Sequence, residues 1–181
     1  ILMYSGSLGY TSDIGPVLKA ISQMKNKEKL EFVILGAGPK LQEAKDLVTN
    51  LKLTNVVFRD LVPRSELNRS LCTAHLHVAT LTPEGAKSST QGKMRTITAA
   101  GRGVLAIMPT TCSEAKLVQN GNFGLAFDNQ EIDVIQAKLE ELVTDYAIAN
   151  QLGDNARNFF ESNFDLQLCI DQIEAQLQSV L

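Results

Sequence analysis

Six apolar runs of strand length, most of them followed by residues whose apolar positions recur at helical spacing, constrain this chain more than any other feature. Residues 1–5 form the first run and end at Gly6-Ser7-Leu8-Gly9. Ile14, Val17, Leu18, Ile21 and Met24 then share a helical face, with Ser12 or Asp13 as the expected N-cap and Pro16 in the first turn, where its missing N–H costs little. Residues 30–35 are the second run, closed by Gly36-Ala37-Gly38-Pro39, and Leu41, Ala44, Leu47, Val48 and Leu51 make the next stripe. Residues 55–59 form the third strand, and Val62-Pro63 turns into a short helix carrying Leu67 and Leu71. Residues 75–81 are the fourth strand, followed by a polar loop over 82–92 and a short helix from about Lys93 to Ala100, ended by Gly101. Residues 104–108 and 123–127 complete the set, with Ser113 expected to cap the helix holding Leu117 and Val118. Beyond them Ile132, Ile135, Leu139 and Leu142 share one helical face, and Ile170, Ile173, Leu177 and Val180 share another.

This alternation implies right-handed crossovers and an α/β doubly wound, Rossmann-like, six-stranded parallel sheet in the order 3-2-1-4-5-6, with the C-terminal helices packed against it. The 181 residues suit a single domain, and no linker or repeat divides them. Seventeen Lys and Arg against twenty Asp and Glu leave a net charge of −3, which argues against nucleic acid as the partner. Cys72, Cys112 and Cys169 stand far apart with no CxxC pair; this speaks against structural zinc or a disulfide framework and fits a reducing, cytoplasmic setting. No apolar run reaches the roughly 20 residues that a bilayer demands, and no signal peptide opens the chain. The sequence starts inside a strand, as expected of one domain from a longer protein.

Ligands of such sheets bind at the carboxyl ends of the strands, which puts the loops there first in the search for chemistry. Gly6-Ser7-Leu8-Gly9 reads either as a tight βα turn or as a place where backbone N–H groups approach a phosphate. Gly36-Ala37-Gly38-Pro39 carries the same two readings. Neither has the spacing of a dinucleotide fingerprint or a Walker loop. Lys93 opens a short helix after a Gly-bearing loop, and a cation there is electrostatically disfavoured unless an anion binds beside it. It is therefore a phosphate-ligand candidate, set against an ordinary solvent-facing lysine. Arg95 and Arg102 are weaker candidates on the same stretch. Glu84 and Gly85 either line a polar ligand or belong to a solvated loop. His75 and His77 form no catalytic or metal constellation and read as structural.

Taken in order, these segments resemble the C-terminal, donor-binding domain of GT-B glycosyltransferases, nearest to the large retaining family numbered four. Tyr4-Ser5-Gly6-Ser7-Leu8-Gly9 resembles the family's YxGxxG opening, and residues 32–39 resemble its VGxGP strand end. Asn55-Val56-Val57-Phe58, with Val62-Pro63 and Glu66-Leu67, resembles NVxFxGxVPxxEL. Lys93-Met94 with Ala99-Ala100-Gly101-Arg102 resembles PSKxxxxLAxGRPV. Gly124-Leu125-Ala126-Phe127 resembles the GxxV strand, and residues 152–157 followed by Phe164 resemble the LGxNAR tail.

The resemblance implies a nucleoside-diphosphate sugar as donor substrate, with no further cofactor and no metal. Gly6, Ser7, Leu8, Gly9, Gly36, Gly38, Gly92, Lys93, Met94 and Thr96 would meet the nucleotide and its diphosphate. The loop at Arg59, Leu61 and Val62 would cover the base, and Glu84, Gly85 and Ser88 would meet the sugar. Lys93 is the candidate for stabilising the leaving diphosphate. It also implies an N-terminal acceptor-binding domain elsewhere in the same protein, a role in polysaccharide or glycoconjugate assembly, and room for peripheral membrane association through that other domain. The sequence departs from the pattern in four places. Ser88 and Thr96 occupy the positions of the Glu-x7-Glu carboxylates, Gln91-Gly92 replaces Pro-Ser, Gly103 replaces the Pro after Gly-Arg, and the first loop lacks the basic residues many members carry. Two alternatives follow, a degenerate binding or scaffold domain on the same fold and half of a nucleotide-sugar epimerase.

Overall fold

The computed structural model describes residues 1–90 and 92–179. Strands β1 (Leu2–Ser7), β2 (Phe32–Ala37), β3 (Val56–Arg59), β4 (Leu76–Thr80), β5 (Gly103–Ile107) and β6 (Gly124–Phe127) form one sheet in the order β3-β2-β1-β4-β5-β6. Every neighbouring pair is parallel. Helices α1 (Gly15–Gln23), α2 (Leu41–Asn50), α3 (Arg64–Leu71), α4 (Lys93–Ala99) and α5 (Ser113–Asn120) make the crossovers, and α6 (Ile132–Thr144), α7 (Tyr146–Asn163) and α8 (Leu166–Gln178) follow the last strand. The sheet order and strand set match the sequence expectation.

Alternating strand residues divide the core in two. Leu2, Tyr4, Phe32, Ile34, Leu76, Val78, Leu105 and Ile107 face α1 and α6, meeting Val17, Leu18, Ile21, Ile135 and Leu139. Ala79, Val104 and Ala106 face the other way, onto Met94, Ile97, Ala115, Val118, Phe123 and Ala156. Each fully buried large side chain in these layers contributes about 1.5–3 kcal/mol of transfer free energy. Behind β1 and β2 the cover is thinner: Met3, Leu35 and Ala74 form a small separate cluster, and α3 buries only Leu71.

Several motif residues are explained by closure of the fold. Asn55 Nδ2 donates to the carbonyls of Lys27 and Leu30, both at 2.8 Å, and so fixes the turn that leads into β2. In α7, a β-carbon at Gly153 would stand 2.7 Å from the Gly101 carbonyl oxygen, so only glycine lets this helix approach the end of α4. Asn155 Nδ2 donates to the Asn122 carbonyl and Arg157 donates to the Ala99 carbonyl, each at 2.8 Å. The LGxNAR tail is thus the clasp that holds α7 across the ends of α4 and α5.

Three expectations need correction. Neither Ser12 nor Asp13 is the N-cap of α1; Ile14 holds that position, and Asp13 Oδ1 instead accepts the Gly15 N–H at 2.8 Å. Ser113 is the first residue of α5, not its cap, and donates its hydroxyl to the Glu114 carboxylate at 2.7 Å. The last apolar stripe does not reach the sheet: α8 buries no residue, and Leu166, Ile170, Ile173 and Leu177 are exposed. Val180 of that stripe lies outside the described residues, as does Gln91. Within the loop over 82–92, residues Gly85–Lys87 form a 3-10 turn.

Candidate functional site

The strand order reverses direction between β1 and β4, and the two strands part there. They share register only at Leu2↔Leu76 and Met3↔His77, whereas β1 continues alongside β2 as far as Ser7↔Ala37. A cleft therefore opens at the carboxyl edge beside Tyr4 and Gly6, the switch point at which such sheets take ligands.

Lys93 lies in this cleft. Its Nζ sits 3.9 Å from the centroid of the Tyr4 ring. A β-carbon at Gly6, whose φ is +142°, would lie 3.1 Å from the same Nζ, so the ammonium rests on bare backbone. Desolvation lowers the Lys93 pKa from its usual 10.5 to about 8. Tyr4 is fully buried; its hydroxyl donates to the Ser7 carbonyl at 2.6 Å. Burial raises the Tyr4 pKa, opposed by hydrogen bonds with Ser12 and Thr80. Asp13 N–H donates to Thr80 Oγ1 at 3.2 Å, which ties the first loop to the end of β4.

The two glycine-bearing loops are stitched together. Leu8 is buried, its N–H donates to the Ala37 carbonyl at 2.9 Å, and its carbonyl accepts from Lys40 N–H at 3.0 Å. Leu8 therefore keeps no N–H for a phosphate. Gly36 is buried against the Gly6 carbonyl, and Gly38 abuts the backbone of Leu8. Ser7 is exposed and Gly9 half-buried at the lip of the cleft. Gly85 packs on Thr11, where a β-carbon would stand 2.8 Å from the Thr11 carbonyl oxygen, and the Thr82 N–H donates to that carbonyl at 2.9 Å. Glu84 and Ser88 flank this contact and face solvent. Gly92 is exposed beside Lys93; Met94 points into the core; Thr96 faces outward with its hydroxyl donating to the Lys93 carbonyl at 2.8 Å.

A second depression, of about 220 Å³, opens at the ends of β2 and β3. Gly36, Leu41, Lys45, Phe58, Arg59 and Asp60 line it, and Lys45 Nζ stands 5.8 Å from the Phe58 ring centroid. Leu61 is exposed and Val62 half-buried in the loop beyond. The structure thus gathers Gly6, Ser7 and Lys93 at one opening and Gly36 and Arg59 at the next.

Tyr4, Lys45 and Phe58 were not among the site residues expected from sequence. Tyr4 is visible there only as the first letter of a motif, and the Lys45–Phe58 pair joins a helix to the strand after it. Elsewhere, His77 is fully buried with Nε2 donating to the Leu71 carbonyl at 3.0 Å; its Nδ1 has no partner among the described residues. Desolvation lowers its pKa to about 4. His77 is structural. Among the described residues no group of three His, Cys, Asp or Glu side chains is placed to hold a metal ion, and no helix is long and apolar enough to cross a membrane.

Over residues 1–159 the sequence matches the family described as Glycosyl transferases group 1. The chain belongs to that family. Solved structures share its fold. HepE from Anabaena, determined with UDP, aligns with a TM-score of 0.81 at 18% identity, over 98% of this chain and 48% of HepE. A point mutant of TarM from S. aureus, determined with fondaparinux, α-GlcNAc-glycerol and UDP, aligns with a TM-score of 0.78 at 17% identity, over 96% of this chain and 34% of TarM. The C-terminal domain of LpcC, a group 1 glycosyl transferase from Francisella tularensis, aligns with a TM-score of 0.75 at 15% identity, over 91% of this chain and 86% of that one. This group 1 chain therefore spans between a third and a half of the length of TarM and HepE. No curated protein sequence matches it.

Proposed function

We propose that this chain is the donor-binding half of a retaining sugar transferase, holding a nucleoside-diphosphate sugar at the carboxyl edge of its sheet. The observation that carries the reading is the Lys93 ammonium resting on Gly6 where β1 and β4 part. A partly desolvated cation over half-buried glycine backbone favours an anion at that point, and a charge-assisted contact of this kind stabilises a phosphate by about 1.5–3 kcal/mol. The depression lined by Leu41 and Phe58 together with Lys45, Arg59 and Asp60 is the seat for the base, two strands away. The loop carrying Glu84, Gly85 and Ser88 is anchored to Thr11 and overlooks the same edge as the sugar subsite.

In this reading the diphosphate leaves toward Lys93, which offsets the negative charge that builds as the anomeric bond breaks. The donor is the substrate, and no resident cofactor is invoked. Attack on the anomeric carbon requires an acceptor held within about 3–3.5 Å and shielded from water. The open edge of a single sheet supplies neither, so the acceptor site belongs to an N-terminal domain and this chain alone transfers no sugar. The acceptor is a saccharide or a lipid-linked acceptor, in polysaccharide or glycoconjugate assembly on the cytoplasmic side.

Calorimetric titration with uridine and guanosine diphosphates tests the reading. Lys93→Ala is expected to lower affinity about tenfold to a hundredfold. Equal affinity in the variant would return Lys93 to the ordinary surface lysines and favour a scaffold domain.

A further inference from the structure

Two of the contacts that Tyr4 makes belong together. The face of its ring holds the Lys93 ammonium at 3.9 Å, and its hydroxyl donates to the Ser7 carbonyl at 2.6 Å. The ring sits on β1, Lys93 on α4 and Ser7 at the last position of β1, where the first loop begins, so one fully buried side chain touches both elements that frame the cleft.

We propose that Tyr4 is a positioning residue for the diphosphate site, its ring seating the Lys93 ammonium over Gly6 and its hydroxyl fixing the Ser7 carbonyl that opens the first loop. The proposal rests on the nucleotide-sugar reading above and deepens it. A lysine carries four side-chain torsions, and an unheld ammonium at a wet edge would sample many positions. An aromatic face attracts a cation through its quadrupole without neutralising it, so the charge is held in place and remains available to an anion. A carboxylate in the same position would compete with the phosphate. The hydroxyl contact fixes the loop on the other side of the cleft, so the spacing between the loop and the ammonium is set before a ligand arrives.

Charged and titratable neighbours do not supply an alternative anchor. No salt bridge to Lys93 is present among the described residues, and His77, whose charged form repels the ammonium, stays neutral above about pH 4.

The two contacts separate by substitution. Tyr4→Phe keeps the ring and loses the hydroxyl. Tyr4→Leu loses both. Replacement by pentafluorophenylalanine keeps the shape of the ring and reverses its quadrupole. Two readouts are required: UDP and inorganic pyrophosphate affinity by titration, and the titration midpoint of Lys93 followed by NMR of a 13Cε-labelled lysine. We expect Tyr4→Leu to weaken UDP and pyrophosphate binding about tenfold and to move the Lys93 midpoint from about 8 toward 10.5, as the freed ammonium reaches solvent. Tyr4→Phe should leave the midpoint near 8 and weaken binding about threefold. Pentafluorophenylalanine keeps the site buried while its reversed quadrupole disfavours the ammonium, so it should move the lysine midpoint below about 8, and it decides the matter if Tyr4→Leu does not fold. A midpoint unmoved by the fluorinated ring overturns the proposal, as does UDP affinity unchanged in a folded Tyr4→Leu protein that loses affinity on Lys93→Ala. If Lys93→Ala itself leaves UDP affinity intact, the nucleotide-sugar reading fails, while the lysine midpoint still reports whether Tyr4 seats the ammonium.

Discussion

Gly38 is pressed against Leu8: a β-carbon on Gly38 would stand 2.5 Å from the Leu8 carbonyl oxygen, and the Gly38 φ is +143°. The contact joins the loops that follow β1 and β2 and withdraws Leu8 from the ligand edge. Gly38→Ala faces both a backbone conformation that L-residues avoid and a clash with backbone, so it should destabilise the protein by about 3 kcal/mol. Urea unfolding of the two proteins measures the difference, and equal midpoints would mean the loops shift apart without cost.

His77 sets a limit on acid stability. Its pKa is about 4 in the fold against 6.5 when unfolded, so between those values the unfolded chain binds a proton that the native one refuses. Stability should therefore fall as pH drops from 6.5 toward 4, by roughly 3 kcal/mol from this group alone. His77→Gln keeps a donor for the Leu71 carbonyl and cannot titrate. Denaturation curves at pH 7 and pH 4.5 should show a smaller acid loss in the variant; parallel losses would assign the effect to carboxylates.

Lys93 gives the opposite pH signature in binding. With a midpoint of about 8, the free protein loses the charge as pH rises through that value, and phosphate affinity should drop about tenfold from pH 7 to pH 9. The stability contribution runs the other way: above 8 and below 10.5 the unfolded chain holds the proton that the folded one releases, so this group makes the fold more stable with rising pH. Titrations of UDP across this range check the first statement. A flat profile in the wild type would place the ammonium away from the phosphates.

Asn55 holds two carbonyls with one amide nitrogen. Asn55→Ala leaves the Lys27 and Leu30 carbonyls without that donor and should cost about 1–3 kcal/mol, read from thermal unfolding. Asn55→Asp should be no better, because a carboxylate cannot donate to a carbonyl.

The sheet was legible in the sequence because its signals are local. Runs such as residues 32–35 and 104–107 are apolar on consecutive positions, as strands buried on both faces must be, and glycines punctuate their ends. Lys93 stood out for a local reason too, a cation at the start of a short helix. What the sequence hid depends on distance. The Tyr4–Lys93 contact joins the first strand to the fourth helix and leaves no mark in either neighbourhood. Leu8 was expected at the ligand because it sits between glycines, but an apolar side chain with the second loop beside it goes inward. The α1 cap failed because the Asp13 carboxylate takes the Gly15 amide two residues on, while the Asp13 amide is drawn to Thr80, a contact that depends on where β4 lies. Periodicity marked α8 as amphipathic without saying what its apolar side meets, and none of its described residues is buried.

The parting of β1 from β4 after Met3 has a mechanical consequence. The sheet behaves as an open book, one leaf made of β3, β2 and β1 and the other of β4, β5 and β6, with the binding at the amino edge. On one cover the leaves are glued by α1 lying against α6. At the outer margin they touch through Thr11 with Thr82 and Gly85, Asp13 with Thr80, and Lys93 resting on Tyr4 and Gly6. Slow opening motions will spread the leaves from that margin, and amide exchange will be fastest along it. A molecule that contacts both Gly6 and Lys93 touches both leaves, so it stiffens the domain along its most compliant line.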